Sequence, residues 1–344
     1  MHMPTPTRPS AHRPDESSLR SLRDVSTGPL STPTPEAPMP LIGSSSVMRR
    51  LRSRIGRVAS TDFTVLVEGE SGTGKELVAR LLHASSRRRH GPFVAVNCAA
   101  LVETLLEAEL FGIEDRTATG VRGRRGKFEQ AEGGTLFLDE VSDLSSAAQA
   151  KLLRAIQDLA VERVGGASSR RVDTRIVVAT NHSLGRQVER GLFRTDLYYR
   201  LSGIEIVVPP LRTRREDILP LAAHFFDKHG TERSVRLSAA AADALVAYDF
   251  PGNVRELERL VEGAVALAQS DVVTLEELPA RVQREYQDIV LPSLSRGDTL
   301  RAWGSRYAHL VLQRSGYNKR AACRKLGISY HTLQSYLKYP LPPP

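Results

Sequence analysis

The chain has 344 residues, 41% of them hydrophobic and 25% charged, which is the balance of an ordinary globular protein with two or three domains. No run approaches the roughly 18 apolar residues that a membrane span needs, and no signal peptide pattern opens the chain. The two cysteines, Cys98 and Cys323, exclude a disulfide framework, so we expect a cytoplasmic protein with no membrane partner.

Residues 1–40 contain nine prolines, many Ser and Thr, and little apolar content. Such a segment cannot bury enough apolar surface to offset the entropy of ordering. We therefore predict a disordered N-terminal tail over residues 1–40.

Residues 41–213 alternate apolar runs with helical patterns. Four β-branched runs are typical of buried strands, and they lie at 63–69, 93–98, 134–140 and 174–181. Helical patterns lie between them at 75–85 and 147–158. This alternation predicts an α/β fold, with a parallel sheet covered by helices on both faces.

After residue 213 the strand pattern stops. Residues 214–278 read as helices, which predicts a smaller helical subdomain, and residues 279–297 read as a linker. Residues 298–344 then form a third predicted unit, of three short helices.

The stretch GESGTGKE follows the first predicted strand and opens the first predicted helix. Its Gly-x-x-x-x-Gly-Lys pattern is typical of a loop whose backbone N–H groups surround phosphate oxygens while the lysine reaches the β and γ phosphates. A tight turn without a ligand is the alternative. The predicted nucleotide-binding residues are Gly69, Glu70, Ser71, Gly72, Thr73, Gly74, Lys75 and Glu76.

Two acids, Asp139 and Glu140, end the apolar strand GGTLFLDE. A buried strand that ends in acids presents them at the ligand edge of an α/β sheet. Asp139 suits Mg²⁺, and Glu140 can polarise the water that attacks a γ-phosphate. The alternative is a pair of acids that only caps a helix. Glu76 stands where a Ser or Thr hydroxyl commonly ligates Mg²⁺. We therefore expect the metal to depend more on water and on a carboxylate of this pair.

The C-terminal unit carries most of the positive charge. From Arg296 onward there are nine Lys or Arg and one acid, or +8 of the net +9. This charge indicates a polyanion such as double-stranded DNA, or else a solvated basic tail.

Residues 318–338 have a helix-turn-helix pattern, with Asn318 and Ser329 as N-caps, Gly327 in the turn, and four apolar residues filling the angle between the helices. These four are Leu326, Ile328, Leu333 and Leu337. The predicted DNA contacts are Lys319, Arg320, Arg324, Lys325, Tyr330, His331, Thr332, Gln334, Ser335 and Lys338.

The first helix of this unit carries an apolar stripe, which we expect to be core, a dimer interface being the alternative. The stripe consists of Leu300, Trp303, Tyr307, Leu310 and Val311.

Taken together, these motifs resemble a known family, the bacterial enhancer-binding proteins that activate sigma-54 RNA polymerase. The resemblance runs from about Leu41 to about Leu278 and is carried by GESGTGKE, FVAVNCAAL, ELFG, GKFEQAEGGTLFLDEV, RIVVATN, FRTDLYYRL, VPPLRTRREDI and PGNVRELE. It implies an AAA+ ATPase domain with a helical lid, and the terminal unit resembles the family's Fis-type helix-turn-helix. In this family a glutamate normally follows the loop lysine, as Glu76 does here.

The resemblance implies further roles. Asn97 would gate Glu140 according to nucleotide state, Asn181 would be the first sensor of the γ-phosphate, and Arg255 the second sensor, on the lid. Arg194 and Arg200 would be arginine fingers that act on the ATP of a neighbouring subunit, which requires a dimer or a ring such as a hexamer.

A glycine- and arginine-rich loop lies between residues 109 and 130. In the resembling family this position reads Gly-Ala-Phe-Thr-Gly-Ala and contacts the sigma factor. The aligned residues here are Arg116, Thr117, Ala118, Thr119, Gly120 and Val121. Losing the aromatic removes the large apolar group available for a contact, so we expect intact ATP hydrolysis with a weakened or redirected sigma-54 contact.

Three functions are therefore open. The first is an ATPase that binds an upstream enhancer-like site on DNA and activates sigma-54 polymerase. The second is an ATP-binding regulator that acts without sigma-54. The third is a helicase loader or unfoldase, which the terminal helix-turn-helix disfavours.

Overall fold

The computed structural model describes residues 41–100, 102–115, 123–230, 235–268, 270–287, 299–315 and 317–339. The predicted disordered tail, residues 1–40, lies outside the described residues. Within the described ranges, no helix has the length and apolar character needed to cross a lipid bilayer.

The first part of the chain, up to residue 207, alternates strands and helices. Its strands are β1 (Val65–Glu68), β2 (Phe93–Asn97), β3 (Gly112–Ile113), β4 (Arg124–Arg125), β5 (Thr135–Asp139), β6 (Ala160–Glu162), β7 (Ser169–Arg171), β8 (Arg175–Thr180) and β9 (Ile204–Val207). Its helices are α1 (Ser46–Ala59), α2 (Lys75–Ala84), α3 (Glu103–Phe111), α4 (Lys127–Gln130), α5 (Ser146–Asp158), α6 (Leu184–Glu189) and α7 (Thr195–Leu201).

Five of these strands form one parallel sheet in the order β2–β5–β8–β1–β9. Alternate residues of a strand point to opposite faces, and both faces are buried here. Leu66 and Val178 pack in the core on the side of α5, whereas Val67 and Val177 pack in the core on the side of α1 and α2. The predicted α/β sheet covered on both faces is confirmed.

The edge strand β9 was not among the predicted strands. Its sequence IEIV is short and alternates apolar with polar, and Val207 at its end is exposed. An edge strand with one partner needs no continuous apolar run, which explains why the apolar pattern did not reveal it.

The carboxyl ends of the central strands meet at one edge of the sheet. Asn97 at the end of β2 lies in register with Asp139 at the end of β5, and Glu68 of β1 lies in register with Thr180 of β8. Polar residues at the ends of four different strands therefore lie at this edge.

Two antiparallel hairpins project from this sheet. Strands β3 and β4 pair through Gly112 with Arg125, β6 pairs with β7, and a bridge between Ile113 and Val164 joins the two hairpins. The β3–β4 hairpin carries the glycine- and arginine-rich loop, of which Arg116–Arg122 lie outside the described residues.

The second part of the chain is a mostly helical lid. Its elements are α8 (Ile218–His229), β10 (Arg236–Leu237), α9 (Ala239–Ala247), α10 (Asn253–Leu267), β11 (Val272–Val273) and α11 (Ala280–Gln287). The two-residue strands β10 and β11 pair in parallel, so the expectation that strands stop in this region is wrong in this detail.

Helix α11 lies within the stretch that the sequence predicts to be a linker, residues 279–297. Its Val282 is buried in the lid core with Leu245 and Leu257. This part of the stretch is therefore a helix of the lid, and residues 288–297 lie outside the described residues. The exact domain boundaries stay a prediction.

The third part consists of α12 (Leu300–Arg314), α13 (Lys319–Leu326) and α14 (Tyr330–Leu337). The Asn318 side chain accepts a hydrogen bond from Ala321 N and that of Ser329 from Thr332 N, so both predicted N-caps are confirmed. Gly327 has φ +65° in the turn, a conformation that favours glycine. Leu333 is buried in the core of this helix-turn-helix, with the other three predicted apolar residues against it.

The predicted apolar stripe of α12 is mostly not core. Leu300 is 87% exposed and Trp303 and Tyr307 are 40% exposed each, whereas Val311 is buried. The buried face is built from small residues at a spacing of three, namely Ala302, Ser305 and Ala308. The expectation that Leu300, Trp303 and Tyr307 fill the core is wrong.

Candidate functional site

The glycine loop between β1 and α2 is shaped by two residues with positive φ, Gly72 at +76° and Gly74 at +100°. Gly72 also approaches the lid closely, because a Cβ built there would lie 2.3 Å from Gly252 O. Such a contact is impossible for any residue with a side chain, so glycine is required at position 72.

Lys75 begins α2 and is only 6% exposed. Its Nζ donates to Gly69 O at 3.0 Å and lies 3.7 Å from the Glu140 carboxylate. An ammonium group buried among carbonyls, with one carboxylate at a long distance, retains capacity for a further anion. The predicted phosphate-binding lysine therefore sits in a suitable environment.

The acid pair lies beside Lys75 at the carboxyl edge of the sheet. The Glu140 carboxylate accepts a hydrogen bond from Asn181 N at 3.0 Å, and Asp139 Oδ1 accepts one from Glu140 N at 3.0 Å. Glu140 itself has φ +53°, an unusual conformation for a non-glycine residue. The two neighbouring carboxylates therefore have different donors, Glu140 N for Asp139 and Asn181 N for Glu140.

The Asn97 side chain takes no part in these contacts. Its Oδ1 accepts a hydrogen bond from Ala99 N at 2.9 Å, although its backbone is in register with Asp139. The structure therefore brings Asn97 to the same edge without the gating contact to Glu140, which stays a prediction. Asn181 meets Glu140 through its backbone N–H, and its side chain is exposed.

Cys98, which follows Asn97 in the chain, is buried near the acid pair with 2% exposure. Its backbone N donates to Asp139 O at 2.9 Å. Burial first, and then the negative charge of Asp139, raises the pKa of the Cys98 thiol to about 12. This thiol is therefore packing material and not a nucleophile.

Arg255 lies in the first turn of lid helix α10, against the glycine loop. Its Nη1 lies 3.3 Å from Ser71 Oγ, and its backbone N donates to Gly72 O at 3.2 Å. The structure thus brings the predicted second sensor to the loop. Glu76, by contrast, faces solvent and pairs with Arg80 one turn along α2.

A cavity of about 180 Å³ adjoins the glycine loop between the two subdomains. Its walls come from four separate parts of the chain, and include Leu41, Ile42, Gly74, Leu77, Arg214, His224, Phe225 and Val254. Apolar walls beside a phosphate-binding loop suit the flat base of a nucleotide. Apart from Gly74, these wall residues were not predicted from the sequence, because the chain brings them together only on folding.

Arg214 is the most unusual wall residue of this cavity, since it is a guanidinium with 3% exposure. Its Nη2 lies 3.3 Å from Thr73 O, while its buried Nε has no hydrogen-bond partner among the residues that the structure describes. Desolvation by burial lowers the pKa of Arg214. The segment VPPLRTRREDI was noted in the sequence, but nothing in the pattern singled out this arginine.

The two predicted arginine fingers lie away from the glycine loop. Arg194 precedes α7 and is held by both oxygens of Asp196, at 3.0 and 2.8 Å. Arg200, near the end of α7, lines a separate cavity of about 320 Å³ with Phe63 and Thr64. Those residues precede β1, whereas the glycine loop follows it. Arg200 is therefore at the opposite edge of the sheet from the site of its own chain.

The residues present fit a magnesium–nucleotide complex. Among the described ranges, no three His, Cys, Asp or Glu side chains form a metal cage. Mg²⁺ does not need one, because it is usually held by one or two carboxylates, phosphate oxygens and water. The Asp139 carboxylate beside the lysine-bearing loop is a suitable single protein ligand.

The predicted DNA-contact residues lie on α13, on α14 or directly beside them. Eight of the ten are exposed, whereas Thr332 and Gln334 are half-buried. Lys319 Nζ lies 6.0 Å from the centre of the Tyr330 ring, and Gln334 Nε2 donates to the Tyr330 hydroxyl at 3.1 Å. The structure thus groups these side chains on one small module.

The loop predicted to contact the sigma factor, Arg116–Val121, lies outside the described residues. Its base is well fixed: Asp115 Oδ1 accepts a hydrogen bond from Gly123 N at 2.6 Å. Nearby, Arg163 forms two hydrogen bonds of 2.8 Å with Glu129, and this pairing lowers the pKa of the Glu129 carboxyl.

Comparison with known proteins identifies both parts of the nucleotide site. Residues 41–207 match the Sigma-54 interaction domain, and residues 212–290 match the AAA+ ATPase lid domain. The predictions of an AAA+ domain and of a helical lid are confirmed.

Individual proteins are also similar to much of this chain. The transcriptional regulatory protein ZraR of Klebsiella oxytoca is 46% identical over 313 residues, which are 89% of this chain and 70% of ZraR. The Nif-specific regulatory protein of Rhodobacter capsulatus is 52% identical over 253 residues, which are 72% of this chain but only 44% of that protein. The crystal structure of NtrX from Brucella abortus in complex with ATP aligns with a TM-score of 0.69 at 36% identity, covering 87% of this chain and 69% of NtrX.

Proposed function

We propose that this chain hydrolyses ATP with Lys75, Asp139 and Glu140. The chain belongs to the family of sigma-54-dependent transcriptional activators. As a member of that family it is an AAA+ ATPase that couples ATP hydrolysis to transcription activation. The observation that carries the residue assignment is the convergence of a buried lysine and two strand-end carboxylates at one edge of the sheet.

Each residue has a distinct task. Lys75 binds the β and γ phosphates, whose negative charge its buried ammonium can meet at short range. Glu140, fixed by Asn181 N, accepts the proton of the attacking water. Asp139 would hold Mg²⁺, which when bound neutralises charge on the phosphate oxygens. The adenine base of ATP would lie in the cavity walled by Leu77 and Phe225.

The site is completed by a second copy of the chain. Arg200 faces the edge of the sheet opposite its own glycine loop, so it can serve only the ATP of a neighbour. We propose that Arg194 and Arg200 are supplied in trans within a ring, a hexamer being the expected state, in which Asn97 and Asn181 report the state of the nucleotide.

The terminal module would bind double-stranded DNA at an upstream site. Arg324 and Lys325 would contact phosphates, and Gln334 would read base edges from α14. The loop Arg116–Val121 would touch the sigma factor of the polymerase. Family membership favours this sigma-54-dependent activity. No comparison favours the alternative, in which the protein acts without sigma-54 and which rests on the sequence of residues 116–121 alone. Because DNA and RNA polymerase are its proposed partners, we propose that the protein acts in the cytoplasm.

An open-complex assay tests the proposal. Purified protein, sigma-54 polymerase and a promoter with a bound upstream site should yield heparin-resistant complexes only with ATP. Glu140→Gln should bind ATP but lose about 100-fold or more in hydrolysis, because general-base catalysis supplies about that factor. Wild-type ATPase activity of this variant would overturn the assignment of Glu140, and ATPase activity without open complexes would overturn the sigma-54 function.

A further inference from the structure

We propose that Glu70, Arg212 and Asn253 form a latch that holds the lid against the glycine loop and so sets the affinity for ATP. The inference rests on the proposed function, because it assigns positioning roles around the same nucleotide site. In this proposal none of the three residues contacts the reacting atoms. Their role is to fix the position of helix α10, which carries Arg255. We call this group the P-loop latch.

The first contact of the P-loop latch is an ion pair across the cleft. Arg212 donates from Nη1 to Glu70 Oε2 at 2.7 Å and from Nη2 to Glu70 Oε1 at 2.5 Å. This two-fold pairing fixes orientation as well as distance. Arg212 stands in the short 3₁₀ helix Leu211–Thr213, where the chain leaves the sheet and enters the lid.

The same contact lowers the pKa of the Glu70 carboxyl to about 2, so Glu70 is ionised at every physiological pH.

The second contact passes through a buried asparagine. Asn253 has 0% exposure and φ +53°. Its Nδ2 donates to Ser71 O at 3.0 Å and lies 3.2 Å from Glu70 Oε2, while its Oδ1 accepts from Leu211 N at 2.9 Å. One side chain therefore joins the glycine loop, the subdomain connection and the first turn of α10.

The backbone beside the P-loop latch continues the same junction. Val254 N and Arg255 N both donate to Gly72 O, at 2.9 and 3.2 Å. The first turn of α10 thus uses two of its otherwise unpaired N–H groups to bind the loop. A displacement of α10 would move Arg255 and would also open the cavity, because Val254 and Glu258 are among its walls.

Exposure distinguishes a positioning role from a merely structural one. The side chains of Glu70 and Arg212 are 42% and 39% exposed. An ion pair so accessible to solvent adds little to the stability of the fold, since water and salt screen it. Its geometry nevertheless spans the hinge between two subdomains. Its main effect should therefore appear in nucleotide affinity and not in unfolding.

The test is a double-mutant cycle on Glu70→Gln, Arg212→Gln and the pair combined, in the full-length protein. Titration of ATPγS should show an affinity about fivefold to tenfold weaker for each single variant, the range expected for a charged hydrogen bond that is partly screened. The double variant should be no weaker than the worse single one, because both changes break one interaction. KM for ATP should rise by the same factor, while kcat changes less than about twofold, because bound ATP restores the lid position.

Three further measurements make the result decisive. Without nucleotide, the amides of Val254 and Arg255 should exchange faster with deuterium in Glu70→Gln than in the wild type. Asp173→Asn is the control: it removes a carboxylate that pairs with Arg88, away from the glycine loop, and should leave ATPγS affinity unchanged. Lys75→Ala checks the proposed function separately, since it should abolish binding whether or not the P-loop latch exists.

Unchanged affinity in Glu70→Gln, or losses that add in the double variant, would overturn the P-loop latch. A fall in kcat at constant KM would also overturn it, because Glu70 would then act in the chemical step. Retained ATPγS binding by Lys75→Ala would count against the proposed function alone.

Discussion

Lys75 and Arg200 are cations proposed for the same reaction, yet they lie at opposite edges of one sheet. Lys75 follows the carboxyl end of β1, is buried, and is held by a loop carbonyl. Arg200 lies beside residues that precede β1, in an open cavity, with one long hydrogen bond of 3.4 Å to Ile156 O. One chain therefore preorganises the phosphate-binding part of the proposed site, while Arg200 lies where, on our proposal, it would serve the ATP of another copy.

The difference has a physical reason. A group that must bind the substrate of its own chain can be fixed by burial during folding. An arginine that must reach a neighbour has to stay accessible until the copies meet. Arg194 illustrates the second case, since it is exposed and paired with Asp196 of its own chain. Assembly would replace that local pair with a phosphate.

The largest expected effect tests the opposite-edge arrangement directly. Arg200→Ala should lose about 1,000-fold in ATPase activity, as arginines supplied in trans commonly contribute that much. Mixing it with Lys75→Ala, which is itself inactive, should restore part of the activity, because an intact Lys75 site can then meet an intact Arg200. The ATPase rate across a titration of the two variants measures this. Arg190→Ala, a change in an exposed arginine at the end of α6, is the control and should keep full activity. No recovery in the mixture would break the comparison.

The next largest effect tests the preorganised, phosphate-binding part of the site. Gly72→Ala should weaken ATP binding at least about tenfold, because the new Cβ would fall 2.3 Å from Gly252 O in a backbone with φ +76°. Titration with a fluorescent ATP analogue measures the affinity. The matched control is Gly263→Ala in α10, where the added Cβ meets open space. That change should keep ATP affinity and stabilise the fold by about 0.5–1 kcal/mol. Equal effects of the two changes would contradict the assigned role of the loop.

The terminal module offers a third, smaller test, since most of its proposed DNA contacts are exposed, as Arg194 is. Arg324→Ala should weaken DNA binding uniformly across sequences and reduce the slope of log K against log salt by about 0.9. Gln334→Ala should instead change sequence preference with little change in the slope. Both variants should keep wild-type ATPase activity, and binding isotherms at four salt concentrations measure the effect. An unchanged slope for Arg324→Ala would remove that residue from the DNA contact.

The smallest effect concerns the cap of α14. Ser329→Ala removes the acceptor of Thr332 N and should destabilise the module by about 1 kcal/mol. Trp303 is the single tryptophan of the chain and lies in α12, so its fluorescence reports thermal unfolding of this module. Ser335→Ala, an exposed change within α14, is the control, with an unchanged or slightly raised midpoint. A midpoint for Ser329→Ala equal to that of the wild type would show that this cap contributes nothing.

The fold of the ATPase part could be predicted where local signals agree with tertiary structure. The strands β1, β5 and β8 are buried on both faces, so their sequences are continuous apolar runs. The caps Asn318 and Ser329 were predictable because a side-chain acceptor three residues before an N–H is a local property.

The remaining features depend on contacts that no local pattern carries. Glu70 and Asn253 are 183 residues apart in the chain, and Arg214 meets Thr73 over 141 residues. In α12 the rule that large apolar residues are buried failed, because the three-helix module is small. Its helices approach closely at small residues, such as Gly304, where a Cβ would lie 2.7 Å from the Tyr336 ring. The large side chains of Trp303 and Tyr307 stack on each other outside this core.

The burial of Cys98 makes this chain suitable for site-specific labelling without engineering. Thiol reagents attack the thiolate, and a pKa of about 12 leaves almost none of it at Cys98 near neutral pH. The only other cysteine in the sequence, Cys323, lies half-buried on α13. A maleimide dye should therefore attach to the terminal helix-turn-helix module alone and report the proposed DNA binding by its fluorescence, while the nucleotide site remains unmodified.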